Sequence, residues 1–152
     1  MTDKYRPVCN DFRKALINAL YSIREMESES PFIDDKIIIS KLRVVIDELE
    51  EISRKTFYMF DGSPRAMLIS ICMDIILEEI NYAVDFRIKN GPYEMPCETN
   101  RVYMVVQKWL EYYEILLDET KKMIAEFDND KNKNIFNFDD VEKRFRGLKP
   151  YK

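Results

Sequence analysis

The chain has 152 residues, 46% apolar and 34% charged, with a formal net charge of −4 and no histidine. That is a one-domain length with a heavily charged surface, and its acidity makes it a poor general binder of nucleic acid or anionic membrane. The missing histidine removes Ser-His-Asp and Cys-His nucleophiles, His-bearing zinc sites and the Glu-x-x-His di-metal bundle.

The N-terminal residues MTDKYRPVCNDF hold no apolar core of the signal-peptide kind, so no secretory leader is expected. Phe12, Ala15, Leu16, Ala19, Leu20, Ile23 and Met26 then recur at intervals of three and four. This predicts a first helix from Asp11 to about Glu29, capped by Asn10 or Asp11. Pro31 pushes Ser30 out of helical geometry and ends it.

A second helix is expected from Asp34 or Asp35 to about Phe60. Its buried stripe is Ile38, Leu42, Val45, Leu49, Ile52, Thr56 and Phe60, widened by Ile39, Ile46 and Phe57. The opposite face is charged, with i,i+4 pairs expected between Glu50 and Arg54 and between Glu51 and Lys55. Asp61-Gly62 reads as a turn, and Ser63-Pro64 as an N-cap followed by proline at the first helical position.

The third helix runs to Asn90-Gly91 (about 64–90). Its first half, MLISICMDIIL, is apolar almost all round, and Ser70, Asp74, Glu78, Asn81, Asp85 and Lys89 trace one polar ridge. It is therefore expected to be the most buried helix. A fourth helix, capped by Thr99 or Asn100, runs to about Phe127 on Val102, Val105, Val106, Trp109, Leu110, Tyr113, Leu116, Leu117 and Ile124. Tyr112 falls off that stripe and is expected at the surface. A short fifth helix, about Asp139–Arg146, ends at Gly147 before the tail LKPYK.

These elements predict an all-α fold. It is an antiparallel bundle of four long helices plus a short C-terminal helix, in one domain with its core at about 10–127 and a loop, short helix and basic tail over 128–152. No run of ~18 apolar residues exists, so no membrane span is expected. Cys9, Cys72 and Cys97 form no CxxC pair, which points to reduced thiols and a cytoplasmic setting.

The stretch EFDNDKNKNIFNFDD raises the question of calcium. Asp128, Asp130, Asn132, Asn134 and Asp139 fall at positions 1, 3, 5, 7 and 12 of an EF-hand loop, and Ile135 at position 8. Lys133 stands where the loop needs glycine, Lys131 adds a second cation, and Asp139 is one methylene short of the bidentate glutamate. The favoured reading is a solvated loop with Asn137 capping the last helix. All-helical nucleotide pyrophosphohydrolases hold magnesium with ExxE on one helix and ExxD on the next. Glu48 and Glu51 fit the first half, but Asn81 and Tyr82 stand three residues after Glu78 and Glu79, so the second half fails. Cys97 sits in a loop between Glu94 and Glu98, which disfavours a thiolate.

With no catalytic constellation and no expected cofactor, the leading function is a non-enzymatic interaction module. It presents a helical surface or groove to another protein, which includes a second copy of the chain. Tyr93, Met95, Met104, Tyr112 and Phe136, off the buried stripes, are the candidate contact residues. An alternative architecture winds the bundle around helix three. That apolar helix, with RAMLISIC, loosely resembles the Bcl-2-like immune modulators of large DNA viruses. The resemblance spans about one helix, lacks an NWGR-type motif, and implies an apoptosis or immune modulator without assigning functional residues.

Overall fold

The computed structural model describes residues 4–29, 35–59, 63–90, 101–129 and 137–149. They form α1 (Arg6–Glu29), α2 (Asp35–Tyr58), α3 (Pro64–Asn90), α4 (Val102–Asn129) and α5 (Phe138–Gly147), with no strand among the described residues. The fold is the all-α bundle that the periodicities predict.

α1 starts earlier than its apolar pattern implies. Pro7 lies in the first turn, where a missing N–H costs nothing, and Tyr5 and Val8 extend the buried stripe toward the N-terminus. Asn10 and Asp11 are consequently inside the helix and cap nothing. The start of α3 is as expected: the Ser63 hydroxyl accepts the Ala66 N–H at 3.2 Å, and Pro64 follows the cap.

α1 packs on α2, α2 on α3, α3 on α4, and α4 closes the ring on α1. Cross-contacts fix the antiparallel sense. Tyr5 at the start of α1 donates to the Met59 carbonyl beyond the end of α2 at 3.1 Å. Late Thr56 meets early Met73 at 3.5 Å. Early Cys72 meets late Thr120 at 3.3 Å. α3 is thus one wall of the ring and not its axis, which sets aside the arrangement wound around it. It is still the most buried helix: Leu68, Ile71, Cys72, Met73, Ile75, Ile76, Ile80 and Val84 are all in the core. The reason is that α5 packs on it as well as α2 and α4, so apolar residues are needed on three sides.

Two details of α2 differ from expectation. Phe57 is 69% exposed and does not widen the stripe. Arg54 pairs with Glu51 one turn back at 2.6 Å, in place of Glu50, because an exposed arginine swings to either acid at nearly equal energy. The two buried threonines are satisfied locally. Thr56 and Thr120 donate to the carbonyls of Ile52 and Leu116 at 3.0 and 2.8 Å.

Candidate partner-binding surface

Of the predicted contact residues, Tyr93, Met95 and Phe136 lie outside the described residues. Met104 is half-buried in the first turn of α4. Tyr112 corrects the surface expectation: it is 0% exposed. Its hydroxyl donates to the Phe145 carbonyl at 2.8 Å, and burial pushes the phenol up to about 12. The misplacement has a clear cause. Tyr112 lies off the predicted stripe, and α5, remote in sequence, supplies the main-chain partner of its hydroxyl.

α5 is built by local chemistry. Asn137 caps it, accepting the Asp139 amide at 2.9 Å. Asp139 and Asp140 occupy its first turn, and Arg144 and Arg146 its last, as the helix dipole favours. Val141 and Phe145, one turn apart, are its buried side chains. Its cations then grip acids on two long helices. Arg144 bonds Glu119 at 2.8 Å and reaches Glu126 at 3.5 Å. Arg146 bonds Glu78 at 2.6 Å, and Lys149 bonds Glu79 at 2.8 Å. Hydrogen bonds to Glu78 and Glu142 hold Arg146 above its ordinary value. The basic tail is therefore a clasp on α3 and α4.

Ion pairs account for most of the closely spaced acids, Glu78/Glu79 and Glu111/Glu114 among them. Glu78 and Glu79 serve the clasp. Glu114 bonds Arg13 at 2.7 Å, and Glu111 meets Lys108 at 3.6 Å. Glu48 and Glu51 line an open cleft of about 420 Å³ between α1 and α2, together with Asp11, Lys14, Asn18 and Lys55. Among the described residues no three potential metal ligands converge. Of the calcium candidates, Asp128 belongs to the last turn of α4, Asp139 is exposed in the first turn of α5, and Asp130, Asn132 and Asn134 lie outside the described residues.

Glu27 went unforeseen because its spacing marks it only as another acid near the end of α1. It is 6% exposed, and its Oε1 accepts the Val102 N–H at 2.7 Å, capping α4 from another helix. Oε2 is buried with no hydrogen-bond partner among the described residues. Burial raises the carboxyl's pKa, while the Val102 amide, Arg87 and Arg101 act in the opposite direction.

What the surface offers instead is on α3. Leu68, Ile71, Ile75, Tyr82 and Phe86 follow at intervals of three, four, seven and four, so they form one stripe on the helix. The stripe is buried through Ile75, straddled by Glu78 and Glu79, and then open: Tyr82 is 70% and Phe86 43% exposed. The two rings stack with centroids 6.5 Å apart and planes at 29°. The sequence places Tyr82 and Phe86 on the apolar stripe; it does not show their exposure. No protein-family model matches the chain, and neither curated proteins nor solved structures give a significant match.

Proposed function

We propose that this chain is a non-enzymatic interaction protein that presents its α3 face to another protein, centred on Tyr82 and Phe86. One observation carries the reading: the most buried helix ends its apolar stripe in two stacked, solvent-exposed rings. Large aromatics bury about 150–250 Å² each when covered and dominate contact energetics. Together they supply the centre of a partner footprint, which for a standard interface is about 800 Å² per side. Glu78 and Glu79, which flank the stripe just before the rings, are paired with Arg146 and Lys149, which favours a contact role over acid–base chemistry.

A cytoplasmic setting belongs to the same proposal. Its support is that Cys9 and Cys72 are in no disulfide. The test uses the full chain as bait in a lysate, against a Tyr82→Ser/Phe86→Ser variant and a Tyr58→Ser control. At least one protein should be retained by the wild type and the control and lost by the double variant. Identical recovery on all three baits overturns the reading.

A further inference from the structure

We infer that the open α1–α2 face is a self-association surface. A second copy of this chain docks on it about a two-fold axis that runs along the cleft, setting α2 of each copy against α1 of the other. This surface shares no residue with the α3 face proposed above.

Two rows of side chains border the cleft. Asp11, Lys14 and Asn18 edge it on α1, and Lys55, Glu51 and Glu48 on α2. Steps of three and four residues carry the first row on to Tyr21 and Glu25, and the second to Val44 and Lys41. Each row therefore keeps to one side of its helix. The two helices are antiparallel, with Tyr5 near the start of α1 bonded to the Met59 carbonyl just past α2. Charges of opposite sign consequently stand at the same level: Asp11 with Lys55, Lys14 with Glu51, Glu25 with Lys41. Between them Tyr21 is level with Val44, and both are open to solvent, at 62% and 57%.

These charges are not used up within the chain. Among the described residues Asp11, Lys14, Lys41 and Lys55 make no side-chain ion pair, and Glu51 holds only the exposed Arg54. A two-fold along the cleft keeps every level and exchanges the two edges. Lys55 then meets Asp11 of the second copy, Glu51 meets Lys14, Lys41 meets Glu25, and Val44 meets Tyr21, each contact occurring twice. A face that is its own complement is what an isologous dimer requires. A two-fold across the helices, centred on Tyr21 and Val44, matches Lys41 with Glu48 but sets Lys14 against Ser28.

The size is adequate for a reversible dimer. With Ile37, 51% exposed at the far end of the α2 row, the face is about 27 Å long and, across two helices, about 20 Å wide. Side-chain relief raises that projected area toward the about 800 Å² per partner of a standard interface. α1 and α2 of both copies form a second four-helix array in which every helix is antiparallel to its neighbours. An apolar centre inside a charged rim is the usual interface anatomy. Rim ion pairs set register more than affinity and weaken with salt, so the dimer is expected in the micromolar range.

Charge swapping on the full chain tests the pairing. Sedimentation of the wild type at low salt, from about 1 to 500 µM, should show a monomer–dimer equilibrium that shifts toward monomer as salt is added. Lys41→Glu/Lys55→Glu makes the α2 row acidic, and Asp11→Lys/Glu25→Lys makes the α1 row basic. Each alone opposes like charges and should raise Kd about tenfold or more. Mixed, the two variants should form a heterodimer as readily as the wild type dimerises, since both halves of that interface again join opposite charges. Contacts within one chain cannot produce this rescue. Tyr21→Ser/Val44→Ser should weaken the dimer by a similar factor with helix content unchanged, and Tyr82→Ser/Phe86→Ser should leave it as it is.

Should a double charge variant fail to fold, the single exchanges Lys55→Glu and Asp11→Lys, both at exposed positions, repeat the rescue. A wild type that stays monomeric throughout the range overturns the inference, as does a mixture without rescue. Undiminished dimerisation of Asp11→Lys/Glu25→Lys also overturns it, because α2 would then pair with α2. Loss of the dimer in Tyr82→Ser/Phe86→Ser alone would move the second copy to α3.

Discussion

Glu27 offers the sharpest test of the packing, because one side chain joins α1 to the start of α4 and carries a titratable proton in the interior. Burial is the largest influence on it and raises its pKa above the ordinary 4.5. Between the unfolded and folded values the native chain binds a proton that the unfolded chain lacks. Stability therefore falls as pH rises through that window, by about 1.4 kcal/mol for each unit of separation. The proton-linked contribution is fully present below the unfolded value and lost above the folded one. Glu27→Gln keeps an oxygen for the Val102 amide and removes the titration. Urea unfolding of both chains, from below to above the ordinary glutamate range, should show the wild type losing ground to the Gln variant as pH rises, then running parallel. Glu27→Ala removes the acceptor as well. It should cost about 1–3 kcal/mol at neutral pH, the penalty for stripping a charged partner from a helix N-terminus. Parallel curves for wild type and Gln variant across the whole range would refute the buried-proton argument. An Ala variant within about 0.5 kcal/mol of wild type would refute the cap.

Three further outcomes follow from the same geometry. Ile75→Ala, in the most buried stretch of α3, should cost about 2–4 kcal/mol in urea unfolding; a loss under about 0.5 kcal/mol would mean that α3 is not a packed wall. Tyr112→Phe removes the hydroxyl bonded to the Phe145 carbonyl and should cost about 0.5–1.5 kcal/mol, with faster hydrogen exchange confined to α5; unchanged exchange there would show that Tyr112 does not anchor it. Millimolar calcium should leave the melting temperature unchanged, since only a ligand of the native state shifts it; a rise that vanishes in Asp128→Ala would restore the EF-hand-like reading.

The sequence by itself determined whatever depends on neighbours along the chain. Five helices, the caps at Ser63 and Asn137, and the burial of Leu68, Cys72, Ile75 and Ile76 all follow from spacings of three and four and from side chains that reach their own backbone. Even the early start of α1 is local: Pro7 is accommodated in a first turn, where its missing N–H costs nothing. Tertiary structure decided the rest. Tyr112 is covered by a helix whose Phe145 lies 33 residues away, Glu27 caps an amide 75 residues away, and the pairing of Glu78 with Arg146 spans 68. Periodicity tells which face of a helix is apolar and is silent on what arrives from elsewhere to cover a second face. For that reason Tyr112 read as surface and is core, while Tyr82 and Phe86, on the same stripe as Ile75, are exposed.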